Sequence, residues 1–190
     1  MGNQDHLSYA RVVQLGEGHR VFLRFLNQGD REGFAELVRE AVPEDTWFLK
    51  QNFRDQKTLN NWFEQLNYHQ VLPLVAVDLD PHRFAAVAIL QRGEQAFQHI
   101  GNILLLVSEP YRCLGLGSLM LEDLIQLAKE KELYWLAAEV FWEQPHVIDA
   151  FESKGFEIKA RLPDYFRCPN GVTRDVVLLM RPVLRTKSIF

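Results

Sequence analysis

Apolar residues along the chain change from helical spacing to a strand pattern and back again. Phe34, Leu37 and Val38 recur at helical spacing behind Asp30, which is placed to cap the helix, and Pro43 ends it. Three apolar runs then follow one another, separated by turn residues, and predict three antiparallel strands. Besides that first helix, the predicted helices are 55–68, 119–132 and 145–153, and the predicted strands are 21–26, 71–77, 83–90, 97–107, 133–141, 156–162 and 172–180.

These elements follow the order βααβββαβαββ, which predicts an α/β fold of the α+β type. Because three strands follow one another directly, we expect a mixed, mainly antiparallel central sheet flanked by helices. The polar residues 1–19 are interpreted as an N-terminal arm or an extra strand, and 20–190 as a single domain.

The overall composition is that of an ordinary globular protein. The chain has 190 residues, of which 47% are hydrophobic and 24% are charged, so neither a disordered nor a fibrous protein is expected. No apolar run approaches the length of about 18 residues that crosses a bilayer, so no membrane partner is expected. The formal net charge of -4 argues against a nucleic-acid partner, because general nucleic-acid binders are normally basic.

The cysteine content is low. Cys113 and Cys168 are too few for a disulfide framework or a four-ligand zinc site, and no metal site is predicted. The first residues carry neither a basic nor an apolar stretch, so no secretory signal is visible. We therefore expect a cytoplasmic protein with reduced thiols.

The segment 104–121, with the sequence LLLVSEPYRCLGLGSLML, carries the chemistry of the chain. An apolar strand runs into a loop that contains Gly115 and Gly117, and the loop opens a helix. The two glycines allow the backbone to turn tightly and to approach a ligand closely. The first helical turn has N–H groups without partners and a positive dipole end, and Arg112 adds a positive charge. This combination predicts an anion site suited to a pyrophosphate.

Two common nucleotide-binding patterns fail at specific residues. A P-loop requires a lysine after its last glycine, whereas Ser118 follows Gly117. A dinucleotide-binding loop requires a third glycine at the position of Met120 and an early βαβ unit. A nucleotide-binding protein is therefore disfavoured. The plainest alternative is that Gly115 and Gly117 only shape the turn between strand and helix.

The run from Arg112 to Gly117 resembles the Arg/Gln-x-x-Gly-x-Gly/Ala signature of the GNAT superfamily of N-acetyltransferases. Three flanking segments agree with this resemblance. Residues 109–111 resemble the exit of the superfamily's strand before the loop, 136–140 resemble its fifth strand, and 154–156 resemble the end of the following helix. The order of elements fits as well, so the resemblance covers roughly residues 20–183. It implies a GNAT-like sheet and acetyl transfer from acetyl-CoA.

The resemblance implies transfer to a primary amine by direct attack in a ternary complex. In this superfamily the strand before the loop pairs with the pantetheine arm, and the loop amides hold the pyrophosphate. The matching residues are Leu105, Leu106 and Val107 for the strand, and Arg112, Cys113, Leu114, Gly115, Leu116, Gly117 and Ser118 for the loop. Gln144 stands where many members have an asparagine that touches the cofactor. The alternative on the same fold is a non-catalytic acyl-CoA-binding sensor or regulatory module.

Attack on a thioester requires a neutral amine, and an amine with a pKa of about 10 is mostly protonated at pH 7. Glu139 is the candidate base, because it interrupts an apolar strand where a carboxylate is costly unless paired or functional. Some members of the superfamily place their base at the matching position. A structural carboxylate is the alternative for Glu139, and Glu109 and His99 are secondary candidates. Direct attack needs no enzyme nucleophile, so Cys113 is interpreted as a loop residue.

Many members of the superfamily use a tyrosine on the helix after the fifth strand as general acid for the thiolate. Phe151 occupies that position here and has no proton to donate. Either the thiolate leaves without an acid, because its pKa is low, or another group serves. Tyr165 is the candidate replacement, with packing at the sheet edge as the alternative.

The acceptor is predicted only by class, as a small-molecule or peptide amine. The aromatic residues Trp47, Phe48, Phe53, Trp62 and Phe63 lie where the superfamily places the acceptor cleft, and core packing is the alternative for them. The acidic balance of the chain mildly favours a cationic amine. Members of the superfamily often dimerise through terminal strands, so 172–180 is a candidate homodimer surface.

Overall fold

The computed structural model describes residues 9–49, 51–168 and 170–184. The chain divides into two units, the first formed by Met1–Ile89 and Leu104–Met120 and the second by Leu90–Ile103 and Leu121–Phe190. The elements that contribute residues to both units are β4 (Phe84–Arg92), β5 (Ile100–Val107) and α4 (Leu116–Glu130).

The first unit is built on antiparallel strands. Besides parts of β4, β5 and α4, its helices and strands are β1 (Ala10–Gln14), β2 (Arg20–Phe25), α1 (Arg31–Glu40), α2 (Pro43–Thr46), α3 (Gln56–Glu64) and β3 (Val71–Asp78). The strands follow the order β1-β2-β3-β4-β5, and Leu23 pairs with Ala76 in the antiparallel register of β2 and β3. The Ser108 N–H, just after β5, donates to the Ala85 carbonyl of β4 at 2.9 Å.

Aromatic side chains form the centre of the first unit's core. Phe34 is fully buried and stacks on Trp62 with the ring centroids 5.5 Å apart. Phe53 and Phe63 meet the Phe34 ring edge-on at centroid distances of 5.2 and 5.7 Å. Three of the five aromatic residues considered for an acceptor cleft therefore pack in the core. The other two lie half-buried in the 3-10 turn Trp47–Leu49.

The second unit contains a parallel strand pair. Besides parts of β4, β5 and α4, its elements are β6 (Trp135–Phe141), α5 (Pro145–Ser153), β7 (Glu157–Arg167) and β8 (Thr173–Pro182). The strands follow the order β5-β6-β8-β7. β5 and β6 are parallel from Ile100 opposite Trp135 to Ile103 opposite Ala138, whereas β6 with β8 and β7 with β8 are antiparallel. The predicted fold class, a mixed and mainly antiparallel sheet flanked by helices, is confirmed.

The differences from the predicted elements have local causes. Residues 1–8 of the predicted N-terminal arm lie outside the described residues, and β1 provides the extra strand. Pro43 follows α1 as predicted but also opens α2, because a proline at the first helical position loses no hydrogen bond. Strand β5 begins later than predicted, at Ile100, since a 3-10 turn occupies Gln95–Phe97. Among the described residues, no helix combines the length and the apolar character needed to cross a membrane.

Strand β7 is longer than the predicted 156–162 and continues to Arg167. Its register against β8 shifts around Asp164, which has a φ of 53°. This bulge carries the strand past Pro163, a residue type that usually ends a strand. Of the loop predicted to follow, Pro169 lies outside the described residues.

Strand β8 is hydrogen-bonded on both sides, to β6 and to β7. The predicted homodimer segment 172–180 therefore does not offer an open backbone edge to a second copy. The homodimer itself stays a prediction, but any such contact would have to use side chains of β8 rather than its edge.

Asp30 is the N-cap residue of α1 but does not cap it with its side chain, contrary to the prediction. Its carboxylate oxygens accept from the Arg24 guanidinium at 2.6 and 2.8 Å, and one of them accepts from the Asn27 N–H at 2.7 Å. Because Asp30 is buried, a charge-assisted pair with Arg24 stabilises the carboxylate better than one neutral amide does.

A second buried carboxylate, Asp78, lies at the end of β3 with 1% of its surface exposed. One oxygen accepts from the Tyr111 hydroxyl and from Nδ1 of His19, each at 2.8 Å, and the other accepts from the Asp80 N–H at 3.1 Å. Burial raises the pKa of Asp78, but the hydrogen bonds outweigh it and hold the pKa below its ordinary value. Burial, followed by the hydrogen bond to Asp78, raises the pKa of Tyr111 to about 12.

The alkaline stability of the protein should depend on Tyr111. Its pKa rises on folding from 10.0 to about 12, so the neutral phenol stabilises the fold below pH 10, and that contribution is lost as the pH rises through 12. We therefore expect the difference in unfolding free energy between wild type and Tyr111→Phe to stay constant from about pH 6 to 9 and to shrink above about pH 10. Urea titrations followed by circular dichroism measure it. A difference that grew above pH 10 would contradict the buried hydrogen bond.

Candidate functional site

The connection between β5 and α4 is a tight loop in the first unit. The 3-10 turn Glu109–Tyr111 leads out of the strand, and α4 already begins at Leu116, earlier than predicted. Cys113 has a φ of 60° and Gly115 a φ of 84°. Glycine adopts this left-handed conformation readily, whereas for cysteine it costs roughly 1–2 kcal/mol. Contacts outside the loop must therefore help to hold Cys113 in this conformation.

The loop contains a row of backbone amides with no acceptor among the described residues. Within residues 9–49, 51–168 and 170–184, nothing accepts the N–H groups of Cys113, Leu114, Gly115, Leu116, Gly117 or Ser118. The Gly115 carbonyl accepts from the Leu119 N–H at 3.1 Å and so starts the helix. The first turn of α4 has no acidic residue, and its dipole adds positive potential. The loop is therefore suited to a ligand with several anionic oxygens, such as a diphosphate.

Gly117 lies in the first turn of α4, next to side chains of β5. A β-carbon built on Gly117 would lie 3.5 Å from Cδ2 of Leu105 and 3.6 Å from Cγ2 of Val107, which is ordinary contact. Leu105 and Val107 are half-buried, whereas Leu106 is buried in the core. The structure thus brings Leu105 and Val107 next to the predicted loop, whereas the Leu106 side chain packs in the core.

Arg112 brings the expected positive charge to the loop, but this charge is paired. Its guanidinium forms a salt bridge with Asp45 of α2, and its Nε donates to the Val107 carbonyl at 3.1 Å. The Arg112 side chain is 42% exposed, so solvent reaches the pair. The positive potential of the loop comes mainly from amides and the helix dipole, and an anionic ligand would compete with Asp45 for the guanidinium.

Three further candidate residues belong to the second unit. Glu139 lies half-buried in β6, opposite Leu178 of β8. Gln144 is the N-cap residue of α5, where its carbonyl accepts from the Val147 N–H at 3.0 Å and its side chain makes no capping hydrogen bond. Tyr165 is 57% exposed on β7, in a strand rather than in the predicted loop. The catalytic and binding roles of these three residues stay predictions.

Phe151 is 4% exposed and packs edge-on against Phe156 with the ring centroids 5.0 Å apart. The residue at the usual tyrosine position is therefore part of the core and has no hydroxyl. Cys113, His99 and Glu109 are all exposed. In the part of the chain that the structure describes, no group of three or more His, Cys, Asp or Glu residues is placed to hold a metal ion.

Two contacts near the loop were missed by sequence reasoning. One is the salt bridge from Arg112 to Asp45, and the other is the hydrogen bond from Tyr111 to Asp78. Both partners lie far away in sequence, so no spacing rule connects them to the loop. A carboxylate directly after an apolar strand was the one available signal for Asp78, because such a position is costly unless it is paired.

The comparison with protein families gives a match over the larger part of the chain. Residues 34–156 match the profile described as the acetyltransferase (GNAT) family. No curated protein sequence matches the chain.

The fold is shared with solved acetyltransferase structures. An N-acetyltransferase from Staphylococcus aureus is 16% identical with a TM-score of 0.75, and the match covers 86% of this chain and 99% of that one. The ribosomal-protein-S18-alanine N-acetyltransferase from Escherichia coli is 20% identical with a TM-score of 0.68, covering 90% and 99%. A protein from Salmonella typhimurium, assigned as an acetyltransferase and solved with its cofactor acetyl-CoA, is 18% identical with a TM-score of 0.71, covering 87% and 95%. Since the family profile spans most of both units, this chain belongs to the GNAT family of acetyltransferases.

Proposed function

We propose that the chain is an acetyl-CoA-dependent N-acetyltransferase that acetylates a primary amine of a small molecule or peptide. The observation that carries the proposal is the row of amides from Cys113 to Ser118, which has no acceptor among the described residues. Membership in the GNAT family supplies the reaction class. The similar Salmonella structure with acetyl-CoA supports the same cofactor here. We further propose that 20–190 form one domain and act in the cytoplasm.

The residues of the loop fit the pyrophosphate of coenzyme A. No described residue accepts from the amides of the Cys113–Ser118 segment, so binding to phosphate oxygens breaks no hydrogen bond within the described part of the chain. Leu105, Leu106 and Val107 are proposed to hold the pantetheine arm, and Gln144 to replace the usual asparagine. Arg112 would exchange Asp45 for a phosphate oxygen or hold both. When bound, acetyl-CoA supplies a thioester acetyl group.

Glu139 is proposed to accept the proton that the amine must lose before it can attack. Its carboxylate lies half-buried in an otherwise apolar strand, a position that is costly for a carboxylate unless it is paired or functional. Tyr165 is proposed as proton donor to the leaving thiol, and its 57% exposure requires that bound ligands cover it for this role. The transfer is direct, so Cys113 has no covalent part in it.

The first expected outcome is stabilisation by acetyl-CoA. A ligand present at a hundredfold excess over its Kd stabilises the folded state by about 2.7 kcal/mol, so the wild-type Tm should rise by several degrees. Gly117→Glu should abolish this rise while the protein still folds, because a β-carbon fits against Leu105 and Val107 and the added negative charge lies in the helix turn proposed to bind the pyrophosphate. Differential scanning fluorimetry with and without acetyl-CoA measures both effects.

The matched control is Gln126→Glu, which adds the same charge on the exposed side of the same helix, away from the loop. It should keep the full Tm rise. No shift of the wild-type Tm at high acetyl-CoA would refute the proposed cofactor. A Gly117→Glu variant with wild-type affinity would refute the proposed location.

A second expected outcome concerns turnover. Glu139→Gln should lower kcat by roughly 10²–10⁴-fold, the usual contribution of a general base, while acetyl-CoA affinity stays unchanged. Release of free thiol from acetyl-CoA with a panel of primary amines measures the rate. Glu143→Gln is the control, because Glu143 is an exposed carboxylate just beyond β6 that pairs with Arg174 at 3.5 Å.

Equal rates for Glu139→Gln and wild type would rule out Glu139 as the base and leave it a structural carboxylate. Tight acetyl-CoA binding with no thiol release for any amine would favour the acyl-CoA sensor instead. The core position of Phe151, without a hydroxyl, is the observation that favours this second function.

A further inference from the structure

The loop between β5 and α4 depends on contacts made just before it. Cys113 holds a left-handed φ of 60° without the freedom of a glycine. The residues before it form a 3-10 turn in which the Tyr111 N–H donates to the Ser108 carbonyl at 3.0 Å. These local bonds close the turn, but they do not fix its position relative to the rest of the first unit.

The Tyr111 side chain makes that longer-range connection. Its ring is buried, and its hydroxyl donates to Asp78 at the end of β3, 33 residues earlier, at 2.8 Å. Tyr111 immediately precedes Arg112, the first residue of the loop. A displacement of the Tyr111 ring would therefore be passed directly to the backbone that carries the loop amides.

Asp78 is itself held from two further directions. His19 Nδ1 donates to the same oxygen that accepts from Tyr111, at 2.8 Å, and the Asp80 N–H donates to the other oxygen at 3.1 Å. The His19 and Tyr111 rings also meet edge-on, with centroids 5.0 Å apart. The carboxylate cannot turn away from Tyr111 without losing these contacts, so it is a fixed anchor rather than a flexible one.

We propose that Asp78, acting through Tyr111 and supported by His19, is a positioning residue for the coenzyme loop. Neither Asp78 nor His19 touches the loop amides; they set the place of the 3-10 turn from which the loop starts. This inference rests on the proposed function, because it takes the loop to be the site of the coenzyme A pyrophosphate.

The test compares two tyrosine-to-phenylalanine variants of the full chain. Tyr111→Phe removes the hydroxyl that bonds Asp78, and Tyr68→Phe removes one that donates to the Leu26 carbonyl at 2.7 Å, away from the loop. Isothermal titration with coenzyme A measures Kd, and thermal unfolding measures Tm. We expect Tyr111→Phe to raise Kd about tenfold, and Tyr68→Phe to lower Tm without changing Kd.

A second variant and a kinetic split separate positioning from general loss of stability. Asp78→Asn should weaken coenzyme A binding in the same direction as Tyr111→Phe. With an amine that is turned over, Tyr111→Phe should raise KM for acetyl-CoA while kcat stays within about twofold. If Asp78→Asn does not fold, Tyr111→Phe and its control decide alone.

The outcomes distinguish this inference from the proposed function. Wild-type binding of coenzyme A, together with equal Kd values for wild type and Tyr111→Phe, would overturn the inference and leave the function standing. Equal weakening by Tyr68→Phe and Tyr111→Phe would also overturn it, because the effect would then be general. Failure of the wild type to bind coenzyme A would refute the proposed function and the inference with it.

Discussion

The candidate site in the first unit depends on the backbone between β5 and α4, which must stay open to solvent or to a ligand. Amides from Cys113 to Ser118 have no acceptor in the described chain, and unpaired amides are tolerated only where water or a ligand reaches them. The surrounding structure keeps this stretch open. Apolar side chains of β5 support the first turn of the helix, and the buried Tyr111 holds the turn before it. The loop amides make no hydrogen bonds to the described residues, and packing around the loop offsets the stability that is lost in this way.

Electrostatics at the loop are balanced rather than strongly positive. Arg112 brings one full charge, and Asp45 opposes it in the same salt bridge. What remains is the partial charge of aligned amides, which acts at short range and in a fixed direction. Such a site discriminates by geometry, because only an anion that presents its oxygens to several amides at once gains from all of them. A long-range field would attract anions less selectively.

The sequence predicts the fold class and the loop because both depend on local patterns. Hydrophobic periodicity identifies most helices and strands. The glycine at position 115 indicates a tight turn, and the structure shows it with a φ of 84°, which glycine adopts readily. The contacts of the loop could not be predicted in this way. Asp45 lies 67 residues before Arg112, and Asp78 lies 33 before Tyr111, so only the folded sheet brings them together. The extension of β7 was missed for a related reason, since the bulge around Asp164 depends on its pairing with β8.

Strand β7 is the edge strand of the second unit. Its irregular pairing affects whether a second copy of the chain could add a strand to this edge. A regular, apolar edge strand would offer a row of backbone N–H and C=O groups with which a strand of a neighbouring molecule could pair. Here the bulge breaks the repeat of N–H and C=O groups, and Lys159 and Arg161 place paired charges along it. Both features are known to discourage continuous pairing between molecules. This edge is therefore a poor template for a strand of a second copy, which lowers the tendency of the chain to aggregate through β7.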